Sequence, residues 1–139
     1  MSEQEEKEIN ARVIEEYRAN AGVVGDEFAD LNLLLLYTTG AKSGQLRINP
    51  LECMEDGERY VVFASYAGEP RHPDWYYNLL ANPNVTVEYK TETFEAVAHM
   101  AEEPERSELY ARMEGISEGF KDYKHTANRV IPVVVLERK

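Results

Sequence analysis

The chain has 139 residues and a net charge of -11, from 26 acidic and 15 basic residues. That length supports one domain with one core, and the single cysteine, Cys53, cannot form a disulfide within the chain. The acid excess argues against a nucleic-acid partner. One cysteine and no secretory-type apolar run near the start point to a reducing cytoplasm.

Residues 2–21 are predicted to be helical. Ser2 with Glu5 fits a capping box, and Glu3, Glu5 and Glu6 suit the positive helix start. Ile9, Val13, Tyr17 and Ala21 recur at every fourth position with Ile14 beside them, an amphipathic face. Its acidic surroundings disfavour an anionic bilayer; docking on a core, covering a pocket and peripheral membrane contact all stay open. Gly22 and Gly25 end the helix. Leu31 to Thr38 is a buried strand, far short of the roughly twenty apolar residues that span a bilayer.

Arg47 to Met54 is the second strand. A turn at Glu55-Asp56-Gly57-Glu58 leads to a third, Arg59 to Ser65. Tyr66 to Pro73 is a loop, and Asp74 to Ala81 a helix stopped by Asn82-Pro83. Val85, Val87 and Tyr89 alternate with polar residues, as do Phe94, Ala96, Ala98 and Met100, giving two more half-buried strands. Residues 102–113 form a helix broken at Gly115 to Gly119. A short helix covers Phe120 to Arg129, and Ile131 to Leu136 is the last strand. The strands follow one another mainly through hairpin turns, without βαβ alternation. Six antiparallel strands avoid exposed edges best by closing into a small barrel. Residues 1–30 read as a helix and linker, and residues 31–139 as the barrel domain.

Between the first two strands lies Thr39-Gly40-Ala41-Lys42-Ser43-Gly44-Gln45-Leu46-Arg47. No Asp or Glu occurs from Leu31 to Leu51. A tight turn with uncovered N–H groups, a hydroxyl and two cations fits an anion site. The same residues also fit a solvated hairpin with two surface cations. Screening, with a length of about 8 Å at physiological salt, lets local cations outweigh distant carboxylates. A P-loop is excluded: Ala41 and Leu36 stand where its glycines belong. There is no GxGxxG, HExxH or G-x-S-x-G pattern, and His72, His99 and His125 are too scattered to suggest a metal. Cys53, on a strand, reads as a buried inert thiol. Trp75, Tyr76 and Tyr77 cannot all face one side of a helix, so at least one turns to solvent or a pocket; Phe120 and Tyr123 share a face. Lys124, His125 and Arg129 form a second acid-free cationic stretch.

Leu33 to Gln45 with Arg47-Ile48-Asn49-Pro50-Leu51, then Ala64-Ser65, His72-Pro73-Asp74-Trp75-Tyr76-Tyr77-Asn78-Leu79, Ala81-Asn82-Pro83, Asp122-Tyr123 and Arg129 to Val135, resemble the deazaflavin (F420)-dependent nitroreductase family, which includes F420H(2)-dependent quinone reductases. The resemblance spans about Ile14 to Glu137. It implies a mainly β (α+β) fold, a six-stranded antiparallel split β-barrel like that of FMN-binding proteins, with flanking helices. It implies hydride transfer from reduced coenzyme F420 to a small electron-poor acceptor: a quinone, a nitroaromatic or an activated C=C bond. A deazaflavin carrier or sensor without turnover, or an FMN-dependent reductase on the same barrel, are the alternatives. Related barrels often pair, so a homodimer is also an expectation.

By resemblance, Lys42 and Ser43 would meet the coenzyme's phosphate, and Arg47, Ile48, Asn49, Pro50 and Leu51 would line the coenzyme. Phe63, Ala64, Ser65 and Tyr66 would face its ring, and Asp74, Trp75, Tyr76 and Asn78 would close the pocket. Three positions depart from the family pattern. Ala41 and Tyr66 stand where cations are common, which implies a weaker hold on an anion. Phe120 stands where a tyrosine hydroxyl is expected, leaving Tyr123, Ser65 or water as the proton source.

Overall fold

The computed structural model describes residues 3–25, 28–29 and 31–139. Among them, six strands close into an antiparallel barrel: β1 (Leu33–Thr39), β2 (Leu46–Asp56), β3 (Arg59–Phe63), β4 (Asn84–Tyr89), β5 (Glu92–Met100) and β6 (Val133–Arg138). Around the barrel the order is β1-β2-β3-β6-β5-β4. Four helices flank it: α1 (Glu3–Ala19), α2 (Asp74–Ala81), α3 (Glu105–Ile116) and α4 (Gly119–Thr126). The expected Ser2 cap lies outside the described residues.

Side-chain alternation explains the layers. Leu34, Leu36, Val62, Val87, Phe94 and Leu136 point inward with Cys53 and fill the barrel. The outer faces of three strands are covered as well. Leu33 and Leu35 on β1 pack against Val13 and Tyr17 of α1. Val61, Phe63, Val133 and Val135 on β3 and β6 pack against Leu109, Tyr110 and Met113 of α3 and Phe120 of α4. Strands buried on both faces read as unbroken apolar runs, whereas β4 and β5 keep one wet face and alternate.

α1 docks on the barrel. The Tyr17 hydroxyl donates to the Leu33 carbonyl (2.9 Å) and accepts from the Lys90 N–H (2.7 Å). Burial pushes its pKa up to about 12. Arg18 pairs with Glu88 on β4 (2.7 Å), and Glu88 also accepts from the Tyr37 hydroxyl. No helix among the described residues is long and apolar enough to cross a membrane.

Two expectations need correction. α3 runs on to Ile116, past the expected end at residue 113, and the break falls at residues 117–118, inside the expected Gly115 to Gly119. Gly115 is exposed with open space around it, so its cost is only the modest helix penalty of glycine. β2 runs to Asp56 and changes partner midway, pairing with β1 over Leu46–Glu52 and with β3 over Cys53–Asp56. Along Leu46–Glu52 the edge away from β1 carries no strand among the described residues. The Cys53 N–H bonds the Asn32 carbonyl at 2.8 Å. Antiparallel alternation then turns the backbone groups of Glu52, Pro50 and Ile48 to that open edge. Pro50 therefore removes no donor from the β1 ladder. This opening splits the barrel wall, and the functional cleft runs along it.

Candidate functional site

A cleft of about 1690 Å³ follows the open edge of β2. At one end is the β1–β2 hairpin. The Gly40 N–H donates to the Gln45 carbonyl (2.8 Å), and the Gly44 N–H to the Gly40 carbonyl (2.9 Å). A Cβ on Gly40 would lie 2.6 Å from the Ser43 hydroxyl, so a larger residue there would push the Ser43 side chain out of its place in the turn. The Ala41 N–H donates to Asn78 Oδ1 (2.9 Å), and the Asn78 amide donates to the Thr38 hydroxyl (3.1 Å). Asn78 thus ties α2 to the turn. The expectation of uncovered N–H groups is corrected at these residues, because turn and helix satisfy them internally. Side chains remain for an anion. Ser43 Oγ accepts from the Gln45 N–H (3.2 Å) and Arg47 (3.5 Å), leaving its proton to donate outward. Lys42 and Arg47 are exposed and form no ion pair among the described residues.

The middle of the cleft is lined by Ile48, Asn49, Pro50, Leu51 and Glu52 on β2, and by Phe63, Ser65, Tyr66, Asp74, Trp75 and Tyr123 opposite. Two expected residues do not line it. Ala64, between the cleft-facing Phe63 and Ser65, alternates into the barrel core and is fully buried. Tyr76 turns one helical step from Trp75 and stacks on His72, with ring centroids 4.7 Å apart. Tyr77 lines the cleft instead.

A loop shapes the other end, and Arg129 holds it. Its guanidinium donates to the carbonyls of Ala64 (2.9 Å), Ser65 (3.1 Å), Glu69 (3.2 Å) and Arg71 (2.9 Å), and meets His72 Nδ1 at 2.9 Å. Burial, then the Arg129 charge, lowers the His72 pKa and keeps the ring a neutral acceptor. Within this loop Tyr66 adopts φ 47°, a left-handed conformation that costs an aromatic residue strain. Its hydroxyl donates to Glu6 of α1 (3.2 Å) and accepts from Arg71 (3.2 Å), whose guanidinium also stacks over the ring. A Cβ on Gly68 would lie 2.3 Å from the Thr126 hydroxyl, so loop and α4 meet only over a glycine. α1 roofs the cleft with Glu6, Lys7, Asn10, Ala11 and Ile14. Sequence reasoning missed these residues because the helix period shows an apolar face but not what its flank covers.

Phe120 and Tyr123 share a helix face as expected, with rings 5.2 Å apart. Burial, then the field of Glu52, raises the Tyr123 pKa. Cys53 is buried with its pKa pushed up to about 12, an inert thiol. No group of three or more metal-ligating side chains clusters among the described residues.

A closed six-stranded barrel with a long cation-rimmed cleft along a split in its wall is the class that this geometry defines. The family model described as F420H(2)-dependent quinone reductase matches residues 10–138. An F420H(2)-dependent quinone reductase of Mycobacterium tuberculosis is 36% identical over 127 residues, covering 88% of this chain and 85% of that protein. A solved F420-H2 dependent reductase shares 34% identity with a TM-score of 0.71, covering 76% of this chain and 94% of its own. A domain-swapped dimer shares 32% identity with a TM-score of 0.72, covering 98% of this chain and 100% of its own. The chain belongs to the F420H(2)-dependent quinone reductase family.

Proposed function

We infer that this protein reduces a quinone or a similar electron-poor acceptor with reduced coenzyme F420. The observation that carries the assignment is a pair of cations, Lys42 and Arg47, left without carboxylate partners at the rim of a cleft, in a chain of net charge -11. Each charge-assisted hydrogen bond there contributes about 1.5–3 kcal/mol. Lys42, Ser43 and Arg47 hold the phosphate. Ile48, Asn49, Pro50 and Leu51 line the coenzyme, with the Ile48 N–H and the Ile48 and Pro50 carbonyls on the open strand edge. Phe63, Ser65, Tyr66, Asp74 and Trp75 frame the ring, while Asn78 and Tyr76 set the position of the turn and the loop. The coenzyme supplies hydride; the chain orients it, excludes water and delivers a proton. Ser65 and Tyr123 are cleft hydroxyls placed to orient the acceptor oxygen.

α1, within the N-terminal segment that precedes the 31–139 barrel domain, acts as a cover over the cleft. A second copy of the chain is a natural partner, in keeping with the domain-swapped neighbour; sizing by light scattering checks it. Titration with oxidised coenzyme tests the assignment, expected to saturate at micromolar protein. Steady-state oxidation of the reduced coenzyme with menadione then separates a reductase from a carrier. Absence of binding ends the assignment.

A further inference from the structure

Glu52 ends the acid-free run of the sequence and is the one carboxylate that the barrel strands bring to the cleft wall among the described residues. It stands opposite Leu33 in the β1–β2 ladder, so its side chain shares the outer face with Leu33. Leu33 belongs to the cluster under α1, and Met54, two residues on, belongs to the cluster under α3 and α4. Glu52 therefore sits at the seam between them, half-buried, beside the open edge of β2. It forms no ion pair among the described residues. Phe63, Ser65, Phe120 and Tyr123 line the cleft with it. The other charged groups in the cleft are Glu6 and Lys7 on α1, Lys42 and Arg47 at the hairpin, Arg71 in the loop and Asp74 on α2. Glu6 is bonded to Tyr66.

We propose that Glu52 is the general acid of the cleft, protonating the oxygen of the acceptor once it has received hydride. The inference rests on the reductase reading above. Hydride arrival leaves a quinone as the hydroquinone monoanion. The Glu52 O–H bond breaks, a bond from that proton to the quinol oxygen forms, and Glu52 is left as a carboxylate that water reprotonates. An effective donor has a pKa near the working pH. Burial raises the Glu52 pKa above the ordinary carboxylate value, with the nearby Ser117 hydroxyl pulling it back. Tyr123 is moved the wrong way, above the ordinary phenol value of about 10, by burial and then by Glu52 itself. Phe120 carries no proton to give.

Glu52→Gln keeps the shape and removes the acid; Glu52→Asp keeps the acid and shortens it. With menadione, Glu52→Gln is expected to lower kcat about 100-fold, the lower end for general acid help, and Glu52→Asp to recover part of it. Wild-type kcat falls as pH rises through the Glu52 titration, and that limb disappears in Glu52→Gln. Affinity for oxidised coenzyme, measured by titration, is unchanged in Glu52→Gln at pH values where Glu52 is protonated, and tighter above its titration, where the substitution removes a negative charge from the cleft. In the coenzyme-free protein, infrared difference spectra carry a carboxylic-acid C=O band that titrates above the usual carboxylate range and is lost in Glu52→Gln. Turnover of Glu52→Gln within about twofold of wild type overturns the proposal, since general acid help is larger than that; so does the absence of that band. If wild type binds no coenzyme, the reductase reading fails and this inference falls with it. If wild type binds and turns over while Glu52→Gln matches it, only the inference falls.

Discussion

The two ends of the cleft use cations in opposite ways. At the hairpin, Lys42 and Arg47 stand on a tight turn, and their charges face solvent without a carboxylate partner among the described residues. At the loop, Arg129 comes from 57 to 65 residues away in sequence and gives its donors to four backbone carbonyls and His72. Both stretches looked alike in the sequence, each free of acids and bearing cations. The difference is that the hairpin satisfies its backbone within the turn and through the neutral Asn78 of α2, whereas the loop draws on a guanidinium. A run of carbonyls turned inward demands a donor fork, and a guanidinium provides five N–H groups in a fixed plane. A cation thus reports an anion site only where the backbone around it is already satisfied.

Arg129→Ala is the largest expected effect and breaks the comparison at the loop end. The part-buried carbonyls of Ala64 and Ser65 cost about 1–3 kcal/mol each without a donor, while the exposed ones of Glu69 and Arg71 turn to water, which leaves a loss of about 3 kcal/mol. In a domain of this size that is roughly 10 °C in Tm. Arg129→Lys cannot reproduce the fork and recovers little. Coenzyme affinity falls with stability, because Ser65, Tyr66 and Arg71 lose their placement. The double variant Lys42→Ala/Arg47→Ala comes next and behaves oppositely. It weakens coenzyme binding by about 3 kcal/mol, on the order of 100-fold, and leaves Tm unchanged, since neither cation is paired in the fold. Calorimetric melting and titration of both variants decide the matter: a melting loss in the double variant would show that the hairpin cations hold the fold instead.

The barrel was legible in the chain because its cues are local. Alternation marked β4 and β5, unbroken apolar runs marked β1, β3 and β6, and Gly57 and Asn82-Pro83 marked turns. The hairpin rim was legible for the same reason, lying within Gly40 to Arg47. The change of partner in β2 was not, because nothing in Leu46 to Asp56 states which strand lies beside each half. Only Pro50 hinted at an edge without a neighbour. The cleft roof was illegible too. Glu6 read as a helix-start charge, and its position over the cleft, with that of Lys7, depends on how Val13 and Tyr17 seat α1 on Leu33 and Leu35. Glu52 looked like an ordinary strand carboxylate until the split placed it on the cleft wall.

α1 roofs the cleft, so its anchors sharpen the comparison further. Tyr17→Phe removes a hydroxyl that serves the Leu33 carbonyl and the Lys90 N–H at once. Two backbone groups lose their partner, and the expected cost is about 1–2 kcal/mol in urea unfolding. The fold survives this, but the roof loosens. Tail fluorescence or proteolysis near α1 would register it before the barrel does.

The smallest effect is at the second anchor, Glu88 with Arg18 and Tyr37. Hydrogen bonding from Arg18, chiefly, lowers the Glu88 pKa below its ordinary value. The folded state therefore releases this proton more readily than the unfolded chain. The contribution is complete above the unfolded carboxylate pKa of about 4.3 and fades as pH falls through the lowered folded value. Arg18 is largely exposed, so solvent screening holds the pair to under about 1 kcal/mol. Glu88→Gln should flatten the acid limb of the stability curve below about pH 4.3. At neutral pH its loss should be smaller than that of Tyr17→Phe. If Glu88→Gln costs more than Tyr17→Phe there, α1 is held mainly by charge at its exposed flank, and the buried tyrosine bridge is not its principal anchor.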